Sequence, residues 1–283
     1  MAIAAFEHRA EAAQTIRKLA TNDTRRAPPL CIREQPQVEA AMERRDAVQV
    51  QQGSVEADPA VSVVILKDGP YLIRGAPPLH TQTIERNEQG QSWQFRQGRQ
   101  FAVKDGTRLC RCGHSQNKPY CDGSHARADV DLTETATFEP MLDSAQEIDG
   151  PRYALTDNER YCAFARFCDN GEGIWNEVRQ PGEQHARLTM YMAHHCPSGR
   201  LLVWDRATGE LAEEPSPVSL SLIEDPGAGA SGPLVLRGGI RVESASGESY
   251  EIRNRQTLCR CGASSNKPFC DGSHATIRFQ DGL

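Results

Sequence analysis

The sequence predicts an α+β protein built from several small modules, and three observations carry that prediction. A seventeen-residue cysteine-rich string occurs twice, short β-type runs lead into each copy, and the stretch between the copies has a helical character of its own. With 38% hydrophobic and 6% aromatic residues, a chain of 283 residues is lean for one large core. Small modules braced by metal suit that balance better.

Residues 1–26 read as an amphipathic helix, with Ala5, Ala12, Ile16 and Leu19 near helical spacing. The Gln-, Glu- and Arg-rich stretch that follows, to about Pro59, reads as a linker or weakly structured arm. From Val61 the runs VSVVIL, YLIR, WQF and FAV alternate with turn residues, as β-strands do. PLVLRGGIRVE and SYEIRN play the same part before the second string. GPYLIRG at 69–75 and GPLVLRG at 232–238 are one opening strand written twice, 163 positions apart, whereas the strings lie 149 apart. The first copy therefore holds 14 extra residues in its β portion, and TIERNEQGQSW reads as a lengthened hairpin that contains them. Between the copies, Leu188, Tyr191, Met192 and His195 share one helical face, and RLLVW at 200–204 reads as a strand. Residues 224–232, EDPGAGASG, read as a flexible linker. The expected division is 1–59, 60–140, 141–228 and 229–283.

The repeated string is LCRCGHSQNKPYCDGSH from Leu109 and LCRCGASSNKPFCDGSH from Leu258, differing at three positions. Each holds the pattern C-x-C-x8-C-x3-H. Thiolates and an imidazole gathered this closely are the donors of a metal or iron–sulfur site. Two cysteines two apart on extended chain point to the same side, so Cys110 and Cys112 can grip one iron, as can Cys259 and Cys261. Cys121 with His125, and Cys270 with His274, stand at i and i+4 and share a face if DGSH opens a helix. Asp122 is a candidate cap for that helix. On spacing alone, a Cys3His zinc site is equally open. Lys118 and Lys267 read either as donors tuning the site or as solvated loop residues.

These residues, with Ser115, Pro119, Asp122 and Gly123 and their counterparts Ser264, Pro268, Asp271 and Gly272, resemble the mitoNEET-like CDGSH iron–sulfur family. The resemblance covers both strings and the strands before them. It implies one [2Fe–2S] cluster per copy, held by three Cys and one His, and two small β-rich modules paired about a pseudo-two-fold axis. Here one chain would supply both members of that intramolecular pseudo-dimer and act as a monomer.

Cys162, Cys168 and Cys196-Pro197 resemble a one-cluster bacterial ferredoxin in which Ala165 stands at the middle ligand position. The implied cofactor is a [3Fe–4S] cluster, or a [4Fe–4S] cluster whose fourth iron is open or bound by Asp169, His194 or His195, in a ferredoxin-like α+β insert. A degenerate module with buried free cysteines is the alternative. Cys31 reads as an unpaired thiol, His8, His80 and His185 as solvated, and Trp93, Trp175 and Trp204 as packing residues.

The net charge of -6 argues against nucleic acid as a partner. No apolar run reaches membrane-spanning length, and the N-terminus lacks a secretory apolar stretch, so a reducing cytoplasm is expected. Phosphate loops and nucleophile elbows are missing from the sequence. The expected role is one-electron transfer, redox sensing or cluster transfer to a redox or cluster-accepting protein. A redox enzyme subunit with an open iron in the middle module and a zinc-stabilised interaction module are the alternatives.

Overall fold

The computed structural model describes residues 35–43, 53 and 55–283. The helix expected within 1–26, Cys31 and His8 lie outside the described residues. Inside the stretch read as a weakly structured arm, Gln35–Glu43 forms a helix, α1. Its Val38 packs on Val64, Leu66 and Leu72, so one apolar contact with a sheet face holds a segment whose polar composition hid it.

The first copy contributes β1 (Ser62–Ile65), β2 (Tyr71–Arg74), β3 (Leu79–Arg86), β4 (Ser92–Phe101) and β5 (Thr107–Leu109). The second contributes β9 (Ser219–Asp225), β10 (Ala230–Arg237), β11 (Arg241–Glu243) and β12 (Arg255–Leu258). Neither copy completes its own sheet. One sheet runs β11-β1-β2-β5 and the other β12-β10-β9-β3-β4. Thus β11 crosses to lie parallel to β1, with Ser62 opposite Arg241, and β3 crosses to lie parallel to β9, with Leu79 opposite Leu220. The remaining ladders of both sheets are antiparallel.

Side-chain alternation explains the layering. Val63 and Ile65 of β1 face a joint core with Leu222, Leu234 and Leu236, while Val64 turns to α1. On the five-stranded sheet, Ile223 and Val235 turn the other way and meet Ala165 and Phe167 of the middle segment. A buried ion pair, Arg74–Glu243 at 3.4 Å, ties β2 to the exchanged β11. The 14 extra residues are the long β3–β4 hairpin, where the second copy has only the three-residue β11 and a bridge from Glu243 to Ser249.

The stretch 224–232, read as a flexible linker, is instead the end of β9, a tight turn and the start of β10. Its glycines serve a hairpin, and Ser231 Oγ donates to Glu224 at 2.6 Å across it.

The middle segment forms an antiparallel sheet β6-β7-β8 from Gln146–Asp149, Tyr153–Asp157 and Leu201–Asp205, with helices α2 (Ile174–Glu177) and α3 (Glu183–His195). The helix is as expected: Met192 of the expected face is buried together with Ala186, Thr189 and Ala193, and Leu188 and Tyr191 pack half-buried against the same core. Ala186, Met192 and Ala193 pack with Leu155, Leu201 and Val203. The expected face also makes a second seam: Tyr191 stacks on Trp93 of the long hairpin at 4.7 Å, and His195 lies against Phe167 at 5.2 Å and Phe95 at 6.3 Å. The lengthened hairpin is thus the ledge on which the middle segment rests. Asn170 Nδ2 fixes the docking by donating to Ser92 O at 2.8 Å. Among the described residues, no helix is long and apolar enough to cross a membrane.

Candidate metal centres

Each strand β5 and β12 delivers its C-x-C pair directly. Cys110 Sγ lies 3.6 Å from Cys112 Sγ, and Cys259 Sγ 3.7 Å from Cys261 Sγ. Cys121 Sγ lies 3.4 Å from His125 Nδ1, and Cys270 Sγ 3.3 Å from His274 Nδ1. The helix that brings the histidine round is a 3-10 turn, Ser124–Ala126, in the first copy and a short α-helix, α4 (Ser273–Thr276), in the second. In both, glycine in the left-handed conformation starts the turn (Gly123 and Gly272), and the aspartate before it accepts a backbone N–H: Ser124 N to Asp122 at 2.9 Å, Ser273 N to Asp271 at 3.0 Å. The same aspartates accept Gln116 N and Ser265 N at 2.7 Å, tying the loop to the cysteine turn.

In each C-x-C pair one thiol is held down and its neighbour pushed up, Cys112 by Cys110 and then burial, Cys261 by Cys259 and then burial; burial also pushes the Cys270 thiol up. The Cys112 thiol, and then N–H groups of Ser115, Gly113 and Cys112, hold Cys110 down at about 6 although burial pushes it up. Cys259 is likewise held at about 6 by Cys261 and its own turn. Burial and the charge of Arg260 hold His274 neutral, down to about 4. Among the described residues, no three His, Cys, Asp or Glu side chains draw together tightly enough to grip a single metal ion; the donors come as pairs.

The two motifs meet back to back through an antiparallel bridge, Cys112 with Cys261. Gly113 and Gly262 make that approach possible at φ +81° and +83°. A Cβ on Gly113 would stand 2.7 Å from Cys261 O, and one on Gly262 2.6 Å from Cys112 O.

Sequence reading missed the arginine inside each C-x-C. Arg111 is buried and donates to the carbonyls of Gly69, Leu132 and Leu66. Arg260 is buried too, donating to Gly232 O and Ile223 O at 2.7 Å and pairing with Glu224 and Asp281. Arg111 pins its cysteine turn to the β1–β2 turn and to the segment after the motif, and Arg260 pins its own to β9 and β10. The signal was available, since an arginine between two cysteines in both copies is an odd choice for a solvated spacer. Lys118 and Lys267 hold neither histidine nor sulfur; each ammonium donates to a carbonyl of its own loop, Ser115 O at 2.7 Å and Ser264 O at 2.6 Å.

The middle cysteines come from three places: Cys162 after a 3-10 turn, Cys168 within another, and Cys196 at the end of α3. Arg200, buried and 3.3 Å from Asp157, lies within electrostatic reach of all three. Burial pushes the Cys162 and Cys168 thiols up; Arg200 opposes this at both. Arg255 of β12 caps α3 by donating to Ala193 O at 2.7 Å and Cys196 O at 2.6 Å, which fixes the third cysteine from the second copy's sheet. Ala165, at the missing ligand position, is buried beside Ile223 and Val235. Of the proposed fourth ligands, His194 Nε2 is engaged by Ala212 O at 2.9 Å and His195 Nδ1 by Tyr191 O at 2.8 Å. Asp169 stays beside its cysteine, 3.6 Å from Cys168 Sγ.

Two histidines read as solvated have partners. His80 is buried in the seam between the copies, 3.2 Å from Ser221 Oγ, and His185 Nδ1 lies 2.6 Å from the buried Glu177. Trp175 and Trp204 pack as expected, each donating its N–H inward, whereas Trp93 is the more exposed ledge residue.

Comparison with known families matches residues 68–126 and 231–275 to the iron-binding zinc finger of CDGSH type, and residues 148–206 to a divergent 4Fe-4S mono-cluster family. No curated relative and no solved structure matches the chain. The chain thus carries two CDGSH-type iron-binding regions with a divergent 4Fe-4S mono-cluster region set between them, which makes it an iron–sulfur protein.

Proposed function

We propose that each CDGSH motif holds one [2Fe–2S] cluster, with Cys110 and Cys112 on one iron and Cys121 and His125 on the other, and Cys259, Cys261, Cys270 and His274 doing the same in the second copy. The observation that carries this reading is the doubled pairing of donors, two sulfurs at 3.6–3.7 Å and a sulfur with Nδ1 at 3.3–3.4 Å. A zinc ion asks for four donors around one point; a binuclear cluster asks for two pairs. When bound, such clusters supply one-electron redox chemistry. The chain's own residues favour one thiolate in each C-x-C pair, bury the donors and, through Arg111 and Arg260, fix the turns.

Cys162, Cys168 and Cys196 are the donors for a third centre, a [4Fe–4S] or [3Fe–4S] cluster, with Asp169 the best-placed fourth group. Three centres in a pseudo-two-fold protein point to an electron carrier for a redox protein partner rather than an enzyme. The half-buried His125 supports a second reading, cluster donation to an accepting protein, because a site whose ligand meets water is the one that can exchange. Absorption and EPR spectra of purified protein before and after dithionite test the reading. Two [2Fe–2S] signals together with a third, cubane-type signal are expected. A colourless zinc protein refutes it, and four irons per chain with no third signal removes the middle centre alone.

A further inference from the structure

The two CDGSH motifs are nearly identical in sequence and unequal in their surroundings. Among the described residues, the middle segment lies on the second motif and makes none of the following contacts with the first. Asn266 Nδ2 donates to Arg160 O at 2.9 Å. Tyr161 meets Phe269 edge to face at 5.1 Å, and the buried Arg253 lies over both rings at 4.6 and 4.9 Å. Gly272, between Cys270 and His274, faces the backbone of this segment: a Cβ there would stand 3.1 Å from Cys162 O and 3.3 Å from Phe164 Cβ. His274 is accordingly buried at 5% exposure, while His125 is half-buried and Asp122 is exposed.

Two further contacts favour the second site. Tyr71 of β2 donates to Cys259 O at 2.6 Å, whereas the equivalent residue on β10 is Leu234, which has no hydroxyl to give. Residues following the first motif cross over the second loop, Thr135 N and Ala136 N both donating to Lys267 O at 2.8 Å. At the C-x-C end the difference runs the other way: Cys112 is buried in a cluster with Leu132, and Cys261 is half-buried. The histidine edge decides access, because neutral imidazole is a weaker anchor than thiolate and the apolar shell around a ligand sets how easily water replaces it.

We propose that residues 160–164 form a fixed cover over the histidine edge of the second CDGSH site, so that the first site exchanges its cluster with the surroundings and the second retains its own. This rests on the reading of both motifs as [2Fe–2S] sites. It makes the sister centres unequal in role: the first is the delivery site, and the second is an internal centre sealed against the middle segment.

The test is cluster extraction from holoprotein by excess EDTA at neutral pH, followed as loss of the [2Fe–2S] EPR signal in dithionite-reduced aliquots. Two phases of equal amplitude are expected, and His125→Cys slows only the fast one. Phe164→Gly suits the positive φ of +52° at that position, so it strips the cover without straining the chain. It should speed the slow phase on the order of tenfold and leave the fast phase unchanged. Asn266→Ala, in the second loop itself, should act in the same direction more weakly. Single-phase loss from protein carrying four [2Fe–2S] irons overturns the cover, as does a Phe164→Gly variant that speeds both phases alike. Protein with no [2Fe–2S] signal overturns the reading of the sites, and the cover with it.

Discussion

Replacing Gly262 by alanine should loosen both CDGSH centres at once, because the glycine lies on the seam they share. Two costs add. The position has φ +83°, where an L side chain costs about 1–2 kcal/mol. The new Cβ would also stand 2.6 Å from Cys112 O and 2.9 Å from Val130 Cγ2, closer than real Cβ atoms come to either. Both neighbours belong to the other copy, and one is backbone, so relief requires the seam to open; overpacking of this kind costs about 1–3 kcal/mol. The total is about 2–5 kcal/mol. Gly90 separates the two terms, since it has φ +77° and nothing within 4 Å of its built Cβ. Gly90→Ala should therefore cost only the strain, about 1–2 kcal/mol. Thermal midpoints of the holoproteins, read by far-UV circular dichroism, should fall in the order wild type, Gly90→Ala, Gly262→Ala, with both [2Fe–2S] signals of Gly262→Ala lost together. If Gly262→Ala proves no more costly than Gly90→Ala, the back-to-back contact of the two motifs is not tight and the reasoning fails.

Phe167→Ala removes a side chain 1% exposed that packs on Phe95 at 4.7 Å, and should weaken docking of the middle segment by about 3–5 kcal/mol. Limited proteolysis should then cut within residues 160–180, and a wild-type digestion pattern would count against the ledge. Arg200→Gln takes a buried positive charge from among the three middle cysteines, so the midpoint potential of the third centre should fall in an EPR-monitored titration; an unchanged potential would remove Arg200 from that role. Burial, and then the charge of Arg237, lower the pKa of His80 in the seam between the copies. A depressed folded pKa gives stability that is whole above the unfolded value near 6.5 and declines as pH falls from there towards the lower folded value. His80→Gln should accordingly lose less thermal stability than wild type between pH 7.5 and 5.5, and equal losses would refute the assignment.

What the sequence shows in advance is what is local. The cysteine spacing, the Asp122 cap and the 14 surplus residues in one hairpin are all written within short windows. Pairing across the chain is not. RVE at 241–243 carries no sign that its partner is β1, and the burial of His80 depends on β9 arriving beside it. The α3 helix is legible only in part for a related reason: it is buried on two sides by different elements, so one apolar stripe does not say which neighbour it meets. The anchoring arginines were overlooked because charged spacers are ordinarily solvated, and the carbonyls they bind come from segments distant in the sequence.

The exchange of β3 and β11 has a consequence for biosynthesis. The ribosome finishes the first motif at His125, but the strand that completes its sheet begins at Arg241, more than a hundred residues later. Until then β1 presents an open edge to the crowded cell, a site of mispairing if it waits unprotected. A chain stopped before Arg241 would leave the first sheet one strand short, so assembly of the first centre should follow synthesis of the second copy. On the assignment proposed above, the exchangeable site would then be finished only when its sealed counterpart is also being built.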